Sequence, residues 1–301
     1  MSDQPFRIVD AHHHLWDLKA INYPWLMARG VRRFFGDPTP IQKNYLPADL
    51  REDAGRIELL ASVHIQVGAA PGREVDETTW LQSQTDEHGL PSAIVAYCDL
   101  EKADVERTLD AHARSDRLRG IRQIVGRSAE EDAQTGTGAL LTNPDWRRGL
   151  KALAARKLSF DLQLIPDQMH AAADALDAVP ELPVALCHAG SPWDQTPAGL
   201  ANWRAGLERL AARPNTVCKL SGFGMFNHGW QTDDLRPLIN TCLDVFGVDR
   251  CLFGSNFPVD KLHASYDRLY AAYRSLTAQL SDDDRAALFV HNAVRFYRLT
   301  L

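Results

Sequence analysis

The densest chemistry in the chain lies near its amino terminus, in Ile8-Val9-Asp10-Ala11-His12-His13-His14-Leu15-Trp16-Asp17. Residues 6–9 read as a short apolar strand. If the extended conformation runs on, residues two apart share a face, so His12 and His14 project together while His13 points away. Two imidazoles on one face can hold a metal or a substrate, and Asp10 or Asp17 is placed to fix a ring's tautomer. Further along, polar residues recur at the ends of apolar runs: His64 and Gln66, Arg122 and Gln123, Asp161 and Gln163, then His188, Lys219, and Asn256 followed four residues later by Asp260.

Eight elements can position these residues. Short apolar runs occur at 6–9, 59–66, 92–98, 118–125, 158–165, 182–187, 216–220 and 250–253. Between most of them lie segments with helical spacing, at 76–88, 102–115, 145–156, 167–179, 199–213 and 233–246, and another follows the last run at 263–280. Strands alternating with helices imply a parallel sheet, and eight such units are the expectation for an α/β, (β/α)8 TIM barrel occupying residues 1–301 as a single domain. A doubly wound sheet is disfavoured because no glycine-rich phosphate loop follows the first strand, which also leaves no signature of an organic cofactor. In a barrel the strand ends meet at one mouth. Burying three histidines, an arginine and a lysine there costs desolvation that a purely structural design avoids, which points to an active site.

The stretch from Asp17 to about Pro47 sustains neither period and carries Tyr23-Pro24-Trp25-Leu26 and Arg32-Arg33-Phe34-Phe35. It reads either as a lid or as a packed excursion covering one end of the core. Residues 134–138 read as a loop, and 282–301 as a closing helix or pair of short helices. A net charge of −6 without basic clusters argues against a nucleic-acid partner, and no apolar run is long enough to span a membrane. The five cysteines form no CxxC pair and read as small core residues of a reducing compartment. With no secretory pattern at the start, the expectation is a cytoplasmic enzyme for a small-molecule substrate, with a homodimer the default assembly.

The motifs Asp10-Ala11-His12-His13-His14-Leu15-Trp16-Asp17, Tyr23-Pro24-Trp25-Leu26, Gly120-Ile121-Arg122, His188-Ala189-Gly190, Lys219-Leu220-Ser221-Gly222, Phe253-Gly254-Ser255 and Asn292-Ala293, in this order, resemble the amidohydrolase superfamily. The closer likeness is to a branch of predicted metal-dependent hydrolases that includes sugar-lactone and dicarboxylate lactone hydrolases. The resemblance implies a barrel that opens a small lactone by water attack. It puts His12, His14 and His188 around a divalent metal, zinc by preference, or has them polarise the carbonyl directly. Arg122 and Lys219 would then stabilise the oxyanion or bind a substrate carboxylate, with Trp16, Trp25, His64, Gln66 and Gln163 completing the substrate site. One position departs from the family. Asn256 stands where the family usually carries an aspartate, and an amide is no general base, so that role falls to Asp260, a histidine or a metal-bound hydroxide. The same departure keeps two alternatives open: a non-hydrolytic decarboxylase of the superfamily, and a ligand-binding barrel that has lost its base.

Overall fold

The structure is a computed structural model and describes residues 5–301. Eight strands follow one another around the sheet in chain order, every pair parallel. They are β1 (Arg7–His13), β2 (Glu58–Ile65), β3 (Ala93–Ala96), β4 (Leu118–Ile121), β5 (Ser159–Leu162), β6 (Val184–Leu186), β7 (Thr216–Leu220) and β8 (Cys251–Phe253). The ring closes where the segment after β8 meets the end of β1: Asn256 N donates to His12 O at 2.7 Å and His14 N to Phe257 O at 2.7 Å. A glycine permits that approach, because a Cβ on Gly254 would stand 2.7 Å from the His12 Cβ.

Helices pack around the barrel by the faces their sequence spacing sets. In Pro144–Ala155, Trp146, Leu150 and Leu153 are buried at helical intervals, and Asn143 accepts from the Asp145 N–H to cap the start. Pro197–Ala211 buries Trp203, Leu207 and Leu210 in the same way behind a Thr196 cap. Each such fully buried side chain contributes roughly 1.5–3 kcal/mol. The carboxyl-terminal region forms two short helices, Asp282–Ala286 and Asn292–Tyr297, joined by a wide turn at 287–291. Phe289 stacks on Phe253 of β8, with ring centres 4.7 Å apart.

Several boundaries differ from the sequence reading. β2, β4 and β5 end at Ile65, Ile121 and Leu162, so Gln66, Arg122 and Gln163 stand in the turns just beyond the ladder. β1 is longer than expected and runs through the histidines, with a register slip between Asp10 and His13. His13 is therefore fully buried, with its ring 6.1 Å from that of His64. The 17–47 stretch is more structured than expected. It holds a short helix, Pro24–Met27, and a 3-10 turn, Thr39–Ile41, and is anchored by paired backbone hydrogen bonds of 2.9 Å between Trp16 and Tyr45. The helix Pro47–Ala54 follows. Of residues 134–138, read as a loop, 134 and 135 close a helix, Ala129–Thr135, that stops at Gly136, and a 3-10 helix, Thr137–Thr142, follows. No helix among the described residues is long and apolar enough to cross a membrane.

Candidate active site

A cavity of about 250 Å³ opens at the carboxyl ends of the strands. His14, His188 and Asn256 form its floor, and Gln66, Arg122 and Gln163 one wall. Trp25, Phe34 and Phe35 lie over it as a roof brought by the first loop. The Trp25 indole N–H is anchored on Val67 O at 2.7 Å, and its ring meets Phe35 edge-on. The loop reads here as a cover to the site, one of the two readings its aromatics allowed.

The floor is built by unusual backbone. β6 turns sharply after Leu186, with His188, Ala189 and Ser191 all left-handed at φ of 54°, 51° and 59°, and Asn256 after β8 is left-handed at 57°. Non-glycine residues in this region carry a conformational cost, and such residues concentrate at functional sites. Gly222 leaves room for the result: a Cβ there would sit 2.4 Å from His188 Nδ1. That nitrogen instead meets Ser221 Oγ at 3.1 Å.

The imidazoles are neutral at neutral pH. Burial, and then the Arg122 charge, holds His14 down at about 3. Burial with Arg122 and Lys219 keeps His188 well below its ordinary value, and burial with Lys219 does the same for His12. His14 Nδ1 donates to Ile65 O at 2.7 Å, so its lone pair is on Nε2, 3.3 Å from the Asn256 side-chain oxygen.

Arg122 is fixed as a fork. Nη1 donates to Gln163 Oε1 at 2.8 Å and Nη2 to Gln66 O at 2.5 Å, and the guanidinium is buried. Lys219, the other cation delivered by a strand, lies beneath the cavity and not on its lining. Its Nζ pairs with Asp161 Oδ2 at 2.5 Å, both side chains being fully buried.

The remaining sequence candidates divide in the same way. Trp25, Gln66 and Gln163 face the cavity; Trp16, His64 and Asp260 do not line it. Trp16 is buried behind Trp25, with its N–H on Lys43 O, and His64 Nδ1 accepts the Leu15 N–H at 3.0 Å. Asp260 is buried beside Asn256, and burial pushes its carboxyl up to about 8, against the opposing influence of the Asn256 amide and the Gly222 N–H. Such a group is mostly protonated at neutral pH, a proton donor before it is a base. Asp10 does not orient an imidazole. Its oxygens accept from Ser255 N at 2.8 Å, Ser255 Oγ at 2.6 Å and Tyr266 OH at 2.9 Å, fastening β1 to the turn after β8. Asp17 binds Asn44 and the Lys19 N–H instead. Among the lining residues absent from the sequence candidates are Arg33, Arg127 and Met225. The basic-aromatic run at 32–35 signalled the first, and the second arginine of Arg122-Gln123-Ile124-Val125-Gly126-Arg127 the next; nothing in the sequence marks Met225.

A catalytic zinc needs three donors aimed at one point about 2 Å from each. The His12 ring lies 5.2 Å from that of His14 and 4.4 Å from that of His188, and both His12 nitrogens are buried without partners. His14 and His188 each direct Nδ1 to protein and leave Nε2 for a ligand, the usual pattern of a metal-binding imidazole, yet no three His, Cys, Asp or Glu side chains among the described residues are arranged to hold a metal ion. The side chains as placed do not form a metal centre.

A (β/α)8 barrel with a polar, histidine-floored cavity at its carboxyl mouth defines the class as a barrel enzyme. The sequence model of the amidohydrolase family matches residues 9–299, and the chain belongs to that family. It is 42% identical to the uncharacterized protein y4mH of Sinorhizobium fredii, over 99% of this chain and all of that one. It is 32% identical to an L-fucono-1,5-lactonase of Burkholderia multivorans, over 97% and 96% of the two chains. An amidohydrolase from Burkholderia multivorans, solved with bound zinc, superposes with a TM-score of 0.82 at 28% identity, covering 97% and 99% of the two chains. The chain is thus an amidohydrolase-family enzyme of the kind that hydrolyses esters, with lactonases among its relatives.

Proposed function

We propose that the protein opens a small lactone by adding water to the ring ester carbonyl. The observation that carries this reading is the convergence, on one cavity of about 250 Å³, of neutral His14 and His188 with a rigid Arg122 fork under an aromatic roof. In the tautomer that carries its hydrogen on Nδ1, which meets Ser221 Oγ at 3.1 Å, His188 presents Nε2 to the cavity with its lone pair, the form of a general base. Water adds to the carbonyl carbon while its proton passes to His188. The carbonyl oxygen becomes an oxyanion beside Arg122, where a fixed donor in a dry site is most effective. Collapse breaks the ring C–O bond, the His188 proton goes to the leaving alkoxide, and a hydroxy acid is released. Asn256 orients the water, and the cavity volume suits a single small ring. A cyclic ester is reactive enough for an imidazole base to suffice.

A divalent metal, zinc first, is the other form of this reading, supported by the zinc-bound relative; it would draw on His12, His14 and His188 after their rings turn. Hydrolysis of a panel of sugar-acid and carboxylated lactones, followed by proton release before and after chelation with metal content quantified, separates the two forms. The reading fails if His188→Ala and Asn256→Ala each leave lactone hydrolysis unchanged. One observation favours a second reading. With an amide at 256 the cavity lining holds no water-activating carboxylate, which a decarboxylase of the superfamily, needing a metal and a protonated side chain, does not require. Carbon dioxide release in place of net acid production identifies it.

A further inference from the structure

Just past β2, one peptide group ties the wall of the cavity to its roof. β2 ends at Ile65, so the trans peptide joining Gln66 to Val67 lies beyond the ladder and its N–H has no strand partner. That N–H donates to Glu77 Oε1 at 3.1 Å, and the C=O of the same peptide accepts from Arg122 Nη2 at 2.5 Å. A trans peptide is planar, with its N–H and C=O directed oppositely. Fixing the N–H on Glu77 therefore fixes the direction in which the carbonyl meets Arg122. The next carbonyl, Val67 O, accepts the Trp25 indole N–H at 2.7 Å. The arginine of the wall and the indole of the roof thus hang on adjacent peptides, with Glu77 as their common anchor.

Glu77 is 1% exposed and does not line the cavity. It stands in the first turn of the helix Glu74–His88, and its second oxygen is buried without a hydrogen-bond partner. A neutral side chain satisfies a buried N–H at lower cost than a carboxyl, whose charge resists burial. The carboxyl adds a charge that Arg122 feels across the peptide, and a neighbour for the hydroxyl of Tyr23, two residues before Trp25. Linked hydrogen bonds also polarise one another, so an acceptor on the N–H makes the carbonyl a stronger partner for the guanidinium. Resting on the lactonase reading above for the reaction itself, we infer that Glu77 is a positioning residue: through the Gln66–Val67 peptide it aims Arg122 at the oxyanion and keeps Trp25 in the roof.

The test compares substitutions at this one position. Glu77→Leu keeps most of the volume and removes the acceptor, Glu77→Asp keeps the charge and shortens the reach by one carbon, and Glu77→Gln keeps an acceptor at full reach. Hydrogen exchange of the Trp25 indole, followed by NMR on isotope-labelled protein and assigned with Trp25→Phe, needs no substrate. Glu77→Leu and Glu77→Asp are expected to speed it at least about 10-fold, and Glu77→Gln to hold it within about 3-fold of the parent. On the lactone panel, Glu77→Leu and Glu77→Asp are expected to lower kcat/KM about 10- to 100-fold, a loss that Glu77→Gln largely avoids. In an Arg122→Gln background the same two changes are expected to cost no more than about 3-fold, because the group they misplace is gone. Unchanged indole exchange, an undiminished loss in the Arg122→Gln background, or a Glu77→Gln variant as impaired as Glu77→Leu would overturn the assignment. If Glu77→Leu does not fold, Glu77→Asp carries each comparison. If no lactone is turned over while the indole exchange responds as expected, the anchor is upheld and the lactonase reading falls. Lactone turnover that no change at Glu77 alters upholds the lactonase reading and removes the positioning role.

Discussion

Replacing Lys219 by Met tests whether the ion pair under the cavity is structural. Lys219 and Asp161 are fully buried 2.5 Å apart, and Tyr297 of the last helix donates to the same Asp161 oxygen at 2.8 Å. The ammonium also lies 5.6 Å from the Tyr297 ring centre. Lys219→Met keeps most of the volume but leaves a buried carboxylate with one hydroxyl for company. Breaking such a pair from one side costs about 3–5 kcal/mol, a large share of the roughly 5–15 kcal/mol that stabilises a folded domain. At about 2 °C per kcal/mol, suited to a chain of this length, the melting midpoint falls by roughly 6–10 °C. Adding Asp161→Asn removes the stranded charge while keeping an acceptor for Tyr297, so the double variant recovers most of the loss. Urea unfolding followed by circular dichroism and tryptophan fluorescence measures all three differences. A single variant within about 1 kcal/mol of the parent, or a double variant no more stable than the single, would refute the reasoning.

Stability should peak near pH 6–7. Burial lowers His12, His13, His14, His64 and His188 from their ordinary 6.5, so their contribution is complete above that value and is lost as the pH falls towards about 3, the level of His13 and His14. Burial raises Asp10 to about 6, Glu77 to about 7 and Asp260 to about 8, so theirs is complete at the acid end and is lost as the pH rises through those values. Below pH 6 the five histidines outnumber the three carboxyls and acid destabilises; between 6.5 and 8 the carboxyls cost on the order of 2–3 kcal/mol, of which about 2 is offset as the unfolded chain's imidazoles finish deprotonating, a net loss of under about 1 kcal/mol. Denaturant midpoints at pH 4.5, 6.5 and 8 check the order. Gly222→Ala forces a Cβ against His188 Nδ1 and Met225 at a residue with φ of 71°. Displacing the imidazole from Ser221 is expected to lower kcat about 100-fold, against a stability loss of only about 1–3 kcal/mol, as steady-state kinetics and thermal melts would show.

The barrel itself was legible in the sequence because its signals are local. Apolar runs of strand length alternate with helical spacing, and a (β/α)8 sheet is the arrangement that buries every run. The paired histidines at 12 and 14, and the polar residue following each of several strands, could be read for the same reason. What the sequence could not say is which polar residues look into the cavity. Arg122 and Lys219 are both cations near the end of a strand; one stops past the ladder and turns into the cavity, the other stays inside it and meets Asp161, 58 residues away. His64 and Gln66 were read as one pair, yet the backbone ends β2 between them, sending Gln66 to the lining and His64 to the Leu15 N–H. Arg33 is spent on Glu131, 98 residues on. Charge compensation and the exact end of each strand are set by contacts between distant segments. These are properties of the closed barrel, and no stretch of sequence contains them.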